Sequence, residues 1–195
     1  MKELERLGMK QGWVYETIIS TGHNRVPHAA PFGIWTDDYI TLKSNFFKGS
    51  KTLDNILRYR NYAVNFPVDT RSFYTSLFEK DQVVYLSSQK IDAPVIGQST
   101  ACVELMVKGI EEKEKSFMIE GDVIHFQMGD DVRLFNRAQS LVMDSLVIAT
   151  RIPHLTLPVA EARLKENLRV IRKVAPDSNF QSMAEALQEK LDLPC

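Results

Sequence analysis

Cysteine is scarce. The 195 residues hold only Cys102 and Cys195, far apart and outside any Cys-x-x-Cys pattern, which excludes a disulfide framework and a cysteine-built structural zinc site. Charge bias is missing too. Lysine and arginine number 24 against 25 aspartates and glutamates, a formal net charge of −1, and the signs are interspersed. That leaves no basic face for a duplex or an anionic bilayer. No apolar stretch approaches the roughly 20 residues a spanning helix needs, and the opening Met1-Lys2-Glu3-Leu4-Glu5-Arg6 has no apolar run of the secretory type. The expectation is a cytoplasmic protein with neither nucleic acid nor a membrane as partner. His23, His28, His125 and His154 fall in separate segments without ligand spacing, and no carboxylate pair or Ser/Cys–His constellation stands out. No metal is expected, and no catalytic residue is named.

The first half is rich in strand signals. Trp13 to Ser20 combines β-branched and aromatic residues, Thr21 to Arg25 has hairpin composition, and Pro27 to Thr36 returns antiparallel. Tyr39 to Lys43 gives a third strand after the turn Asp37-Asp38. A helix starts near Ser50, with Leu53, Ile56 and Leu57 on its buried face. Tyr62 to Phe66 is a compact apolar strand, and Ala101 to Ile110 and Phe117 to Met128 are longer ones separated by a charged turn. Between them, Ser72 to Glu79 reads as a helical turn and Val83 to Leu86 as a short strand. Six strands at hairpin spacing with one inserted helix predict a closed or partly closed antiparallel barrel, since closure removes exposed edges.

After Gly129 the period changes. Ala138 to Thr150 places Leu141, Val142, Ser145, Leu146 and Ala149 along one stripe. Val159 to Val174 follows between Pro158 and Pro176, and a last helix carries Phe180, Met183, Ala184, Leu187 and Leu191 behind the N-cap candidates Asp177-Ser178-Asn179. The expected organisation is a barrel over residues 1–130 and a helical region over 131–195, packed on the barrel or on a partner subunit.

The segment Pro27 to Thr52 carries the chemistry. Ala29, Ala30 and Gly33 leave strand backbone thinly covered, so a flat ring has room against its amides, although a tight barrel bend would use the same residues. Ser50, Lys51 and Thr52 open the helix, where free amides, two hydroxyls and an ammonium converge on a phosphate. A plain N-cap beside a solvated cation is the alternative. Gly49-Ser50-Lys51-Thr52 is not a nucleotide-binding P-loop, because Ser50 separates Gly49 from Lys51 and no glycine leads the loop. Asn65 interrupts an apolar strand, and its amide either satisfies backbone groups or meets a ligand. Asn136-Arg137 and Thr150-Arg151 are reserve candidates.

Gly12-Trp13-Val14-Tyr15-Glu16-Thr17, the Pro27-to-Gly33 strand, Gly-Ser-Lys-Thr at 49 to 52 and Val64-Asn65 together resemble the FMN-binding split-barrel superfamily. More narrowly, the chain resembles an archaeal and bacterial branch with a helical C-terminal extension, related to flavin reductases and pyridoxamine-phosphate-oxidase-like proteins. The resemblance implies a six-stranded antiparallel barrel of Greek-key type and a homodimer with FMN at the subunit interface. It places the isoalloxazine against Ala30, Pro31, Phe32 and Gly33, the phosphate on Ser50, Lys51 and Thr52, and Asn65 beside the ring or ribityl chain. His28 stands where the family pattern has an Asn. The implied activity is that of a flavin-dependent oxidoreductase or flavin reductase using a nicotinamide or similar reductant. A non-catalytic flavin or electron carrier, or a cofactor-free interaction protein, are the alternatives.

Overall fold

A computed structural model describes residues 2–23, 26–152 and 157–191. The expected turn at Asn24-Arg25, and Pro153, His154 and Cys195, lie outside the described residues, as does the His23 side chain. The chain divides into two compact units, one of residues 1–11 and 16–135, the other of residues 12–15 and 136–195.

The first unit is a closed antiparallel barrel, as the strand spacing predicted. Its strands are β1 (Tyr15–His23), β2 (Val26–Trp35), β3 (Thr41–Phe47), β4 (Asn61–Pro67), β7 (Ser99–Glu112) and β8 (Ser116–Met128), ordered β1-β2-β3-β8-β7-β4. Phe46, Tyr62, Phe66, Ile34, Leu42, Leu105 and Ile119 fill the core. A short α1 (Glu3–Arg6) precedes the barrel, α2 (Lys51–Tyr59) joins β3 to β4, and α3 (Thr70–Phe78) with a 3-10 turn (Lys80–Gln82) follows β4. The two-residue strands β5 (Tyr85–Leu86) and β6 (Val95–Ile96) pair with each other.

The third strand begins at Thr41 rather than at Tyr39. Asp38 explains the difference: its carboxylate accepts the Ile40 and Thr41 amides at 2.7 and 2.8 Å, and Tyr39 takes a left-handed φ of 62°. Leu57, expected on the buried face of α2, is 38 % exposed. That face is made instead by Thr52, Leu53 and Ile56.

Buried polar residues on β4 and β7 pin the segment leading to β6. Glu104, 1 % exposed, accepts the Gln89 and Lys90 amides at 2.7 Å each, and Asn61 Oδ1 accepts the Ala93 amide at 3.0 Å. These bonds satisfy backbone donors that would otherwise be stranded.

The second unit holds α4 (Arg137–Arg151), α5 (Leu157–Val174) and α6 (Asn179–Lys190). Val142, Leu168, Ile171, Val174 and Ala184 form a core against which Trp13, Val14 and Phe180 pack. Asn136 ties it together, its Oδ1 accepting the Ala138 amide at 2.8 Å while its Nδ2 donates to the carbonyls of Val14 at 2.9 Å and Val174 at 2.7 Å. Leu146 was expected on the buried stripe of α4 but is 46 % exposed, and Ile148 is buried instead. Ser178 is the N-cap of α6. Among the described residues no helix is long and apolar enough to cross a membrane.

Candidate functional site

The entrance to α2 is shaped by Gly49 and Ser50. Gly49 takes φ +80°, a region that penalises a side chain, and turns the chain out of β3. Ser50 then adopts an extended backbone and its Oγ accepts the Leu53 amide at 3.3 Å, an N-cap in form. Accepting leaves the hydroxyl hydrogen free to donate. Lys51 is exposed at the first helical position, where first-turn amides have no partner within the helix and the helix dipole favours an anion.

Thr52 points the other way. It is 1 % exposed, and its Oγ1 lies 3.1 Å from Nε2 of His28 on β2. His28 is half-buried, and its pKa is lowered to about 4 by burial first, then by the charge of Lys51 and then by that of Lys80. The imidazole is therefore neutral at neutral pH, with one ring nitrogen to donate and one to accept. The contact joins the small-residue strand directly to the first turn of α2.

Along β2, Ala30, Pro31, Phe32 and Gly33 are all partly accessible. Strand β2 is registered to β3 at Ile34↔Ser44 and Trp35↔Lys43, so the Ala30-to-Gly33 backbone precedes the paired stretch on that side. Two of its carbonyls are held from within the barrel: Phe32 O accepts Thr17 Oγ1 at 3.1 Å, and Gly33 O accepts Ser44 Oγ at 2.9 Å. The Phe32 ring packs against that of Phe46 at a tilt of 44° with centroids 4.8 Å apart, which fixes the ribbon against the core. Ala29 is buried under Phe73 of α3 and under Val83 and Tyr85, with Ile18 and Ile96 beside it.

Asn65 stands apart from this group. It is 0 % exposed; its Nδ2 donates to Ile18 O at 3.0 Å and Ser20 Oγ at 2.8 Å, and its Oδ1 accepts the Ile96 amide at 2.8 Å. The amide thus satisfies the protein's own polar groups, the first of the two roles open to it. The structure brings Thr52 to His28 and leaves Asn65 in the barrel wall.

Two residues gain a place here that sequence reasoning had not given them. His28 stood out in the sequence only as a departure from the family pattern. Lys80 carried no signal at all. Among the described residues, no group of three or more His, Cys, Asp or Glu side chains stands together as a metal site.

Comparison with known proteins places the chain in a family. Residues 15–130 match the model described as "Protein of unknown function (DUF447) N-terminal domain", and residues 136–189 match that of "Protein of unknown function (DUF447)"; the chain belongs to this family. An uncharacterised protein of Methanocaldococcus jannaschii is 23 % identical over 169 residues, spanning 82 % of this chain and 85 % of that one. Among solved structures, an FMN-bound DUF447 protein of Methanosarcina mazei aligns with a TM-score of 0.58 at 22 % identity, covering 95 % of this chain and 98 % of its own. The NADH:FAD oxidoreductase SgcE6 of Streptomyces globisporus gives 0.54 at 14 % identity over 62 % of this chain and 74 % of its own. A flavoredoxin of Methanosarcina acetivorans gives 0.52 at 17 % identity, over 60 % and 69 %. The fold is the split barrel of these flavin proteins.

Proposed function

We propose that this chain binds FMN and works as a flavin-dependent oxidoreductase or flavin reductase, drawing on a nicotinamide or similar reductant. One observation carries the reading: the opening of α2 at Ser50 and Lys51 is joined, through the His28–Thr52 contact, to a strand whose Ala30-to-Gly33 backbone lies outside the β2–β3 pairing. The donor set fits a phosphorylated flavin. Ser50 Oγ, the Lys51 ammonium and the first-turn amides of α2 would hold the phosphate, and the ribbon offers a ring face free of bulky side chains apart from Phe32. FMN, when bound, supplies the redox chemistry, and the protein supplies orientation and electrostatics. The Methanosarcina mazei structure of the same family contains FMN, which supports the choice of ligand.

The same reading makes the protein a homodimer with the flavin at the subunit interface. Met106 and Ile110 on β7 and Ile124 and Met128 on β8 are exposed apolar side chains of the barrel wall, suited to burial against a second copy. The test begins with the visible absorption spectrum of freshly purified protein and a titration with FMN, alongside sedimentation to give the mass in solution. A flavin spectrum, or tight uptake of added FMN, is expected; colourless protein that also fails to bind FMN overturns the reading. Steady oxidation of NADH or NADPH with an electron acceptor then separates an enzyme from an electron carrier.

A further inference from the structure

We propose that the groove between α5 and α6 is a second small-molecule site, one that takes a phosphorylated nucleoside, with cations of α5 on the phosphate and the Gln188 side chain on the base. The site is independent of the α2 entrance. It is a cavity of about 610 Å³ lined by Lys165, Leu168, Arg169, Arg172 and Lys173 of α5 and by Gln188 of α6, within the roughly 300–1,000 Å³ of small-molecule sites. Four of those six side chains are cationic and none is acidic. The helical period explains the cluster, because Lys165, Leu168, Arg169 and Arg172 stand at i, i+3, i+4 and i+7 and so share one face of α5. Three of the cations have carboxylate partners outside the lining: Glu161 meets Lys165 at 3.0 Å, Glu166 meets Arg169 at 2.7 Å and Glu185 meets Arg172 at 2.9 Å. Several cations on one helix face favour a multivalent anion such as phosphate over a single carboxylate.

Gln188 supplies the second observation. It is 1 % exposed, and neither its Nε2 nor its Oε1 has a hydrogen-bond partner among the described residues. A buried amide without partners is costly, and a ligand that both accepts and donates removes the cost. The polar side chains before it on the same face of α6 are engaged: Gln181 Nε2 donates to Glu185 Oε1 at 3.0 Å, and that oxygen also accepts Arg172 Nε at 3.0 Å and Nη2 at 2.9 Å. The pairing stops at Gln188. Its terminal torsion is broad, so the amide can turn to a guest in the cavity it lines. A glutamine amide sets a donor beside an acceptor, which matches the acceptor-and-donor edge of adenine. A phosphate dianion alone only accepts, and leaves Oε1 unpaired.

The experiment measures the binding of AMP, adenosine and inorganic phosphate to the full chain by calorimetry, with melting temperatures of the free proteins recorded alongside. Wild type should take one AMP, and adenosine and inorganic phosphate should each bind about tenfold more weakly or worse. Arg169→Gln and Lys173→Gln, both at exposed side chains, should each weaken AMP about tenfold, the scale of one charge-assisted contact. Gln188→Leu should melt at or above wild type, because an apolar side chain has nothing to leave unpaired, and should still lose about tenfold in AMP affinity. Lys51→Ala should bind AMP as wild type does; a loss there moves the nucleotide to the α2 entrance and overturns the inference, whatever becomes of the FMN reading. A Gln188→Leu protein that melts lower, or that keeps its AMP affinity, overturns it as well. Polyglutamate that binds where AMP does not assigns the groove to an acidic protein partner and overturns the small-molecule site. AMP uptake that none of the variants changes marks an adventitious ion only, with the same consequence.

Discussion

His28 and Thr52, 24 positions apart in the chain, meet ring nitrogen to hydroxyl at 3.1 Å and tie β2 to the first turn of α2. Burial first, then the charges of Lys51 and Lys80, hold His28 neutral at this contact, and that sets a pH dependence. The folded pKa of about 4 lies below the ordinary value of 6.5. The unfolded chain therefore binds more protons between those values, and stability must fall as pH drops from about 6.5 towards 4. Urea midpoints recorded across that window should decline for wild type and flatten for His28→Gln, which keeps a hydrogen-bonding side chain without the titration. An equal slope in the variant would assign the acid sensitivity to other groups.

Glu104→Gln should destabilise the barrel by about 1–3 kcal/mol, the cost of stranding a buried donor. The carboxylate serves the Gln89 and Lys90 amides with one oxygen each, and an amide would aim its own N–H at one of them. A lower urea midpoint with faster proteolysis between residues 87 and 94 is the expected signature.

Tyr62→Phe should be neutral or mildly stabilising. The Tyr62 hydroxyl is buried without a hydrogen-bond partner, and burial pushes its pKa upward. Gly121 sits against it: a Cβ there would lie 2.7 Å from the hydroxyl and 3.2 Å from Leu105 Cβ. Gly121→Ala should therefore cost about 1–3 kcal/mol of overpacking. The double variant should recover part of that loss, a coupling measurable as a double-mutant cycle.

Asn136→Asp should weaken the helical unit even though Asp is as good an N-cap as Asn. The present side chain accepts from Ala138 and donates to two carbonyls, Val14 O and Val174 O. A carboxylate keeps the first bond and turns the other two into repulsions. Thermal melting of Asn136→Asp at or below that of Asn136→Ala would bear this out; a clear gain over Ala would refute it.

Much of the architecture was legible because hairpin strands and amphipathic helices each impose a period. Strands β1 to β4, β7 and β8 announced themselves by β-branched and aromatic runs between turn residues, and α2 by Ser50 ahead of Leu53 and Ile56. What the period does not show is which flank of a stripe meets a neighbour, so Leu57 and Leu146 were placed inside while Ile148 was passed over. Strand β5 falls within the short strand expected at Val83 to Leu86, whereas β6, two residues long, carries no period of its own. At the candidate site, the Gly49-to-Thr52 chemistry could be read locally. The partners of Asn65 and Thr52 could not, since Ser20, Ile96 and His28 lie 45, 31 and 24 positions away, and only the closed barrel brings them together.

The helical unit is discontinuous along the chain, and this bears on the order of synthesis. Val14 leaves the ribosome early, but the carbonyl that its amide reaches at 2.9 Å belongs to Val174. At about 5–20 residues per second, translation separates the two by roughly 8–32 s. Through that interval Trp13 lacks the helical core on which it packs, so a nascent chain stalled after the barrel leaves that apolar contact open to a chaperone or to a second stalled chain.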